Sequence, residues 1–385
     1  MRVVLLTGKG GVGKTTHAIT TALGAAARGH RVFLLSTDAA HSVGDALGRP
    51  VGARPVPIAE GVVAQEVSAL DELDRSWGAL QKFLRQLLKE ETDELVAEEL
   101  LVFPGLEELI ALRAIRDVEA TGEFDVCVVD CAPTGSTLRM LRFPDVLRIF
   151  MENFFELERR GARLLKPLLE PFRAGGLVPG EEMFDAFERL WSDVDDVREI
   201  LMDTSRTTAR LVVNPTQVVL EEARRSFAYL SLYGVATDGV IVNRVLPRVA
   251  GQGWFGRWAA REQAMLEEIR TSFPIPRIEV PLEPRELTGL PALQALAGRL
   301  YTERDPAALW RQGRPIRLRT HSGHPRLEIE LPGATKEALE VDARGDSLVI
   351  RLRDASRIVA LPRSLVGRPI RRARLREGLL AVDFE

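Results

Sequence analysis

A short glycine-rich segment near the start of the chain has the residue types and the spacing of a phosphate-binding loop. Residues 8–16 read GKGGVGKTT, which fits the pattern G-x-x-x-x-G-K-[ST] and stands between a predicted strand and a predicted helix. The glycines let backbone N–H groups close around phosphate oxygens, Lys14 adds a positive charge, and the Thr15 hydroxyl can reach a Mg²⁺ ion. The residues predicted to bind a nucleotide here are Gly8, Lys9, Gly10, Gly11, Val12, Gly13, Lys14, Thr15 and Thr16.

Lys9 is not required by the ordinary phosphate-loop pattern. The segment GKGGVGKT is similar to the deviant Walker A motif of the signature-lysine ATPases. That class includes nitrogenase iron proteins, Min and Par ATPases, and the arsenical-pump and tail-anchored-protein-targeting ATPases. In these proteins the additional lysine, which corresponds to Lys9, crosses a dimer interface to the partner's nucleotide. The resemblance therefore implies a homodimer that closes on ATP, with Lys9 and Lys14 both catalytic.

Two further segments narrow the resemblance to one branch of this class. STDAAHS (36–42) and DCAPTGSTLR (130–139) resemble the switch segments STDPAHS and DTAPTGHTLR of the arsenical-pump and tail-anchored-protein-targeting ATPases, and FPGLEE (103–108) agrees with them. The resemblance covers about the first 310 residues. It implies an enzyme that hydrolyses ATP to ADP and phosphate, with ATP and Mg²⁺ as cofactors.

Hydrolysis needs a carboxylate that orients the attacking water and a metal that offsets the charge on the γ-phosphate. The resemblance places the catalytic aspartate at Asp38, and Asp130 directly follows a hydrophobic strand, as suits a carboxylate that holds the water shell of Mg²⁺. Thr15 would bind the metal directly and the two aspartates through water. Pro133 and Gly135 are expected at the nucleotide, with the Gly135 N–H placed to sense the γ-phosphate. Plain structural roles, a helix cap for Asp38 and a turn for Asp130, stay open.

Fewer residues in the sequence indicate how the adenine base would be recognised than indicate the phosphate site. Asn243 in VIVNRVLP resembles the family's adenine-contacting asparagine at a strand end, and Pro281 and Leu282 resemble the loop that closes over the base. Asn214 is a weaker candidate. A plain turn residue is the alternative for Asn243.

The elements that must position these residues are short apolar runs separated by longer helical patterns. Such runs lie at 3–7, 31–36, 125–130, 211–213, 240–242 and 278–280. Strands that are apolar at nearly every position are buried on both faces, as in a parallel sheet between helices, and ligands then collect at their carboxyl ends. We therefore predict a doubly wound, mostly parallel α/β P-loop NTPase over residues 1–310, with a helical subdomain at about 70–205.

The chain changes character after Trp310. A linker is predicted at 311–322, and six short alternating segments broken by turns predict a small all-β sandwich at 323–385. LEIELPG (327–333), LEVDARGDSLVIRL (339–352) and GLLAVDFE (378–385) resemble the strand and turn order of the α-crystallin domain of small heat-shock proteins. A subset of the targeting-ATPase family carries such a domain, and this architecture fits that subset.

The helical pattern at about 70–205 has apolar stripes and four of the six methionines, a residue that adapts to varied apolar partners. In the tail-anchored-targeting ATPases the equivalent region forms a hydrophobic groove for clients, so we expect hydrophobic or membrane-protein clients here. Plain core packing is the alternative for each single residue. An arsenite pump subunit and a Min-like or Par-like positioning ATPase are the alternative functions.

Two cysteines, Cys127 and Cys131, are the only thiols in the sequence. Four residues apart on a strand they would lie too far apart to share one arsenite, unless the chain turns sharply at Asp130. Cys127 is expected in the core, and no zinc-binding Cys-x-x-Cys is present, so no structural zinc is expected. Near-neutral net charge, −3, and a basic strand without interleaved aromatic residues argue against nucleic acid. No signal peptide or membrane-spanning run is found, which predicts a cytoplasmic protein without stable membrane insertion.

Overall fold

The computed structural model describes residues 1–38, 42–67, 106–132, 192–193, 195–247, 253–321, 323–345, 347–353, 355–362 and 364–385. Most of the predicted helical subdomain at about 70–205 lies outside these ranges, and so does most of the apolar surface that we expect there. Val197, a member of that apolar pattern, is described and is buried in the core of the α/β unit. Among the described residues, no helix is both long and apolar enough to cross a bilayer.

Within the described part of the first 281 residues, eight strands form one sheet. They are β1 Arg2–Thr7, β2 Val32–Ser36, β3 Val56–Ala59, β4 Val62–Glu66, β5 Val126–Asp130, β6 Thr207–Val213, β7 Thr237–Val245 and β8 Arg277–Pro281. Their order across the sheet is β3-β4-β2-β5-β1-β6-β7-β8. Every neighbouring pair is parallel except β3 with β4.

Helices cover both faces of this sheet. They are α1 Lys14–Ala26, α2 Ser42–Leu47, α3 Leu106–Thr121, α4 Gln217–Leu232, α5 Gly253–Ser272 and α6 Leu290–Leu300. Val3 and Leu5 of β1 pack with α3, α4 and α5, whereas Val4 and Leu6 pack with α1, α2 and α6. Each strand thus contributes apolar side chains to two cores, and the predicted doubly wound, mostly parallel α/β fold is confirmed.

Strands β3 and β4 were not among the predicted strands. They form an antiparallel hairpin at the edge of the sheet, and β4 pairs in parallel with β2. Their sequences, VPIA and VVAQE, are short and interrupted by proline or polar residues, so they lack the continuous apolar run that marks the central strands. Their position at the edge of the sheet accounts for that weaker pattern.

Seven strands form the C-terminal β unit. They are β9 Ile316–His321, β10 His324–Glu330, β11 Leu339–Arg344, β12 Ser347–Leu352, β13 Ala355–Ala360, β14 Ile370–Arg376 and β15 Leu379–Phe384. They make two antiparallel sheets, β14-β15-β10-β9 and β11-β12-β13, around a shared apolar core. The predicted all-β sandwich is therefore confirmed, while the segment predicted as a linker contains β9, which pairs with β10.

Helix α4 joins the two units. Ala228 and Leu232 on this helix are buried in the apolar core of the β unit. The Arg357 guanidinium donates to the Leu232 carbonyl oxygen, and the hydroxyl of Tyr233 donates to the carbonyl oxygen of Ser356 over 3.2 Å. The β unit thus packs directly on a helix of the α/β unit.

Candidate nucleotide-binding and catalytic site

The glycine-rich loop connects the end of β1 to the start of α1. Gly8 and Gly13 have positive φ values of 154° and 99°. A Cβ on Gly8 would lie 2.3 Å from the carbonyl oxygen of Val212, and one on Gly13 would lie 2.5 Å from Nδ2 of Asn243. Side chains cannot enter at these two places, so the loop stays close to the neighbouring strands and leaves its N–H groups for an anion at the helix N-terminus.

Lys14 is held inside the loop that it follows in sequence. Only 6% of the residue is exposed, and its Nζ donates to the backbone oxygen of Lys9 over 3.3 Å. The loop itself therefore holds the Lys14 ammonium in place. This placement suits a lysine that acts on a nucleotide bound to the same loop.

Thr15 and Asp130 meet where β5 ends beside the loop. The Thr15 hydroxyl donates to Asp130 Oδ2 over 2.6 Å and lies 2.9 Å from the Ser42 hydroxyl. Asp130 pairs in register with Leu6 on β1 and Ser36 on β2, which fixes the carboxylate at the carboxyl edge of the sheet. The strand order thus brings residues more than 100 positions apart into contact.

The Asp130 carboxyl is buried, and its environment opposes ionisation. Burial raises its pKa to about 7, and the nearby carboxylates of Asp38 and Glu66 add to the rise, against the Thr15 hydrogen bond and the charge of Lys14. Asp130 Oδ1 has no hydrogen-bond partner among the residues that the structure describes. A Mg²⁺ ion, which the sequence resemblance implies, fits this set of hard oxygen donors, with Thr15 and Asp130 as the residues that would hold it.

Asp38 lies two residues beyond the end of β2. Its backbone N–H donates to the Ser36 hydroxyl over 3.4 Å, and the preceding Thr37 N–H donates to the backbone oxygen of Asp130 over 3.0 Å. Asp38 is therefore on the same edge of the sheet as Asp130 and the phosphate loop. Residues 39–41 and the predicted Pro133 and Gly135 lie outside the described residues.

A glutamate outside the sequence motifs holds the start of α2, which follows the first switch segment. Glu66, the last residue of β4, accepts hydrogen bonds at Oε1 from the N–H groups of Val43 (2.8 Å) and Gly44 (3.0 Å), in the first turn of α2. A carboxylate in this position satisfies helix N–H groups and interacts favourably with the helix dipole. It lies 23 residues from Val43 in sequence, so no local signal indicated it.

The predicted base-contacting residues lie at the ends of β7 and β8. Asn243 Nδ2 donates to the Val12 carbonyl oxygen over 2.8 Å, and Asn243 Oδ1 accepts from the Arg244 N–H over 3.0 Å. Pro281 ends β8, and Leu282, which is 43% exposed, donates its N–H to the Val245 carbonyl oxygen over 2.7 Å. The structure therefore brings Asn243 against the phosphate loop, a contact that the sequence did not predict.

His17 lies behind the loop on the buried face of α1. It is fully buried, and neither ring nitrogen has a well-formed hydrogen bond among the described residues. Burial lowers its pKa to about 4, although the neighbouring Asn243 amide partly offsets this, so the ring is neutral at ordinary pH. His17 lies three residues after Lys14, just outside the phosphate-loop motif.

Lys9 points to a different place from Lys14. Its Nζ lies 3.4 Å from Glu222 Oε2 on α4, and its side chain is 36% exposed. The Lys9 ammonium is therefore at the rim of the loop, against a neighbouring helix, rather than inside the loop.

The two thiols lie in the core of the sheet. Cys127 and Cys131 are both buried, which confirms the prediction for Cys127. Burial raises the pKa of Cys127 to about 12 and raises the pKa of Cys131 as well. Soft-metal binding requires the thiolate form, which both environments disfavour.

Known families match both units of the chain. Residues 1–302 match the ArsA ATPase family, described as anion-transporting ATPases, and residues 322–384 match an HSP20-like domain found in ArsA. A putative arsenical pump-driving ATPase of Prosthecochloris vibrioformis is 32% identical over an alignment of 392 positions, which covers 100% of this chain and 96% of that protein. ATPase GET3B of Arabidopsis thaliana is 30% identical over 319 residues, covering 76% of this chain and 77% of that protein.

These matches agree with the site geometry, in which a glycine-rich loop, a buried lysine and a threonine–aspartate pair meet at the carboxyl edge of a parallel sheet. The chain therefore belongs to the ArsA family of anion-transporting ATPases, in the form with a C-terminal HSP20-like domain, and is an ATP-hydrolysing enzyme.

Proposed function

We propose that this protein is a homodimeric, Mg²⁺-dependent ATPase whose nucleotide cycle opens and closes an apolar helical surface that holds hydrophobic or membrane-protein clients. The observation that carries the dimeric part of this proposal is the different placement of the two loop lysines. Lys14 is enclosed by its own loop, whereas Lys9 lies at the rim and is paired with Glu222. A lysine at the rim is available to the nucleotide of a second subunit.

The described residues support a division of labour in hydrolysis. The loop N–H groups and Lys14 bind and orient the phosphates, and Thr15 with Asp130 would hold the Mg²⁺, which supplies charge neutralisation when bound. Asp38, on the same edge of the sheet, accepts a hydrogen bond from the attacking water and so orients it toward the γ-phosphate. Lys9 from the partner stabilises the negative charge that develops there.

Mixed dimers test whether Lys9 acts across the interface. Lys9→Ala and Asp38→Asn homodimers should each be inactive. In a mixed dimer, the Lys9→Ala subunit keeps its own Asp38 and receives Lys9 from the Asp38→Asn partner, so one of the two sites is complete. Random mixing of equal amounts should then restore about a quarter of wild-type ATP turnover, because half of the dimers carry one complete site.

Lys14→Ala mixed with Asp38→Asn is the matched control. Lys14 serves the nucleotide of its own subunit, so both sites of that mixed dimer carry a lesion and turnover should stay at the background. Equal lack of recovery in both mixtures would show that Lys9 acts within its own subunit, and it would remove the main support for the dimer.

The client part of the proposal rests on the apolar helical pattern at about 70–205 and on the resemblance to the tail-anchored-targeting branch. The Asp38→Asn protein with ATP should hold the closed state and retain clients. Mass spectrometry of proteins that co-purify with it should find membrane proteins enriched over an ADP-treated sample. Recovery of soluble proteins alone, in equal amounts with ATP and ADP, would contradict a client role.

The rival function is a subunit that drives arsenite export, because several relatives are named putative arsenical pump-driving ATPases. The buried Cys127 and Cys131, with their raised pKa values, argue against a thiolate site for arsenite. Arsenite should therefore leave the rate of ATP hydrolysis unchanged. Clear stimulation by arsenite would favour the export function over the client function.

A further inference from the structure

We propose that His17 is a positioning residue of the nucleotide site, which acts through Asn243 on the last residues of the phosphate loop. The proposal begins from a local cluster of three residues. Gly13 closes the loop, and the position that its Cβ would occupy lies 2.5 Å from Asn243 Nδ2 and 3.9 Å from His17 Cδ2. The imidazole ring and the amide therefore share the space directly behind Gly13.

Asn243 already links this cluster to the loop. Its Nδ2 donates to the Val12 carbonyl oxygen, and its Oδ1 accepts from the Arg244 N–H. A primary amide has two N–H donors and two acceptor lone pairs, so one donor and one acceptor remain for other partners. The direction in which this donor and this acceptor point depends on the side chain that packs against the amide beside Gly13.

His17 is the polar side chain that lies there. Its ring is fully buried and its nitrogens have no well-formed hydrogen bond within the described parts of the chain. A buried polar atom without a partner is unfavourable, and an apolar side chain would fill the same space without that disadvantage. One ring nitrogen of His17 can accept the second Nδ2 hydrogen of Asn243, so a small rotation of the amide would give both side chains a further hydrogen bond.

The cluster acts on the loop through the Val12 carbonyl oxygen, which Asn243 holds. Val12 and Gly13 belong to the loop whose N–H groups would bind the phosphates, so the orientation of the amide affects where those groups lie. His17 keeps the amide in one orientation. The fixed amide increases the affinity of the site for the nucleotide. It does not contact Asp38 or the attacking water, so the rate of the chemical step is not affected.

The inference extends to the base, and in that respect it rests on the proposed adenine contact of Asn243. If a ring nitrogen of His17 accepts the second Nδ2 hydrogen, the group that Asn243 turns outward is the remaining lone pair of Oδ1. That lone pair matches the amino group of adenine and opposes the carbonyl oxygen of guanine. His17 would therefore contribute to the preference for ATP over GTP.

The test compares His17→Leu, which fills the space without polar atoms, with His17→Gln, which retains a donor and an acceptor. We expect His17→Leu to raise KM for ATP about tenfold with kcat changed less than about twofold, because uniform binding is lost. His17→Gln should restore most of the affinity. Thr20→Val, a change at another buried polar residue one turn further along α1, is the control and should leave KM unchanged.

A double-mutant cycle with Asn243→Ala tests the route of the effect. His17→Leu should change KM for ATP much less in the Asn243→Ala background than in the wild type, because the two residues act as a unit. An undiminished effect in that background, or an unchanged KM in the single variant, would overturn the proposal. The urea midpoint is measured for each variant, and a fall in kcat and midpoint without a change in KM would assign His17 a merely structural role.

The GTP arm separates this inference from the proposed adenine contact. Equal rises in KM for ATP and GTP in His17→Leu would support positioning of the loop and contradict the extension to the base. A rise for both nucleotides that is larger for ATP would support both parts, whereas a rise for ATP alone would contradict positioning of the loop.

Discussion

The Thr15 hydroxyl donates a 2.6 Å hydrogen bond to Asp130, which ties the first turn of α1 to the end of β5. The two residues are 115 positions apart in the chain, and the pairing of β1 with β5 brings them together. The contact places a hydroxyl and a buried carboxyl side by side at the edge of the sheet where the phosphate loop begins.

Asp130→Asn is expected to stabilise the Mg²⁺-free protein in a pH-dependent way. Burial raises the pKa of the folded-state carboxyl from 3.8 to about 7, so the folded protein binds the proton more tightly than the unfolded chain. Wild-type stability therefore falls as pH rises from about 4 to about 7, and it changes no further above that range on account of this group. The advantage of Asn should grow over the same range to about 4 kcal/mol.

Urea unfolding in EDTA at pH 5, 6, 7 and 8 measures this difference. A constant offset between the two proteins at all four values would contradict the raised pKa of Asp130. Adding ATP and Mg²⁺ should reverse the order of stability, because the wild-type carboxylate then has a cationic partner.

Asp38→Asn should abolish ATP turnover while it preserves ATP binding. Asp38 lies on the edge of the sheet beside Asp130 but makes no part of the loop that surrounds the phosphates. We expect a loss of kcat of about a thousandfold, in the range seen when a residue that positions or activates the attacking group is removed. Equilibrium binding of a fluorescent ATP analogue should change less than about threefold. Retained turnover would remove Asp38 from its assigned role.

Arg210→Met should destabilise the protein strongly without touching the nucleotide. Arg210 and Asp238 are fully buried, with Nε of Arg210 3.1 Å from the carboxylate, and the guanidinium also donates to the backbone oxygens of Pro306 and Ala308. The guanidinium also stacks on the Trp310 ring, 3.7 Å from the ring centroid. Arg210 thus connects β6 to the segment that precedes the β unit. Removal of one member of a buried pair should cost about 3–5 kcal/mol.

Urea denaturation measures this loss, and Arg31→Ala provides the comparison. Arg31 forms a solvent-exposed pair with Asp125, and solvent screening makes such pairs weak. The Arg31 variant should therefore unfold near the wild-type midpoint. Similar midpoints for the Arg210 and Arg31 variants would contradict the structural role of the buried network.

Both thiols should be unreactive in the folded protein. Burial disfavours the thiolate of Cys127 and of Cys131, so alkylation by iodoacetamide at pH 8 should be about a hundredfold slower than for a free thiol. In urea, both cysteines should react at the ordinary rate, which mass spectrometry can count. Rapid labelling of the native protein would show that a thiol is accessible and would reopen the case for arsenite binding.

The sequence by itself determined the features whose physical basis is local. The glycines at 8, 10, 11 and 13 and the lysine after them predict a phosphate loop, because backbone freedom and a charge at a helix start are properties of adjacent residues. Continuous apolar strands predicted a parallel sheet covered on both faces, and this was confirmed. Short alternating strands after residue 320 predicted the β sandwich, also confirmed.

Weak local patterns account for what the sequence did not indicate within the fold. The β3–β4 hairpin and β9 contain proline, polar or exposed residues, and they are held mainly by the strands that they pair with. A strand at the edge of a sheet needs less apolar surface than a central one, so its sequence signal is weaker. Pairing partners, and not composition, define these elements.

Only the tertiary structure decided which distant side chains meet. It placed Asn243 on Val12, Glu222 on Lys9, Glu66 on the start of α2 and Arg210 on Asp238, contacts between elements that the sheet order brings together. Each is a hydrogen bond or ion pair whose geometry depends on the angle and depth at which two elements pack. Spacing along the chain carries no information about those distances, so the motif showed where phosphate binds and the packing showed what holds the motif in place.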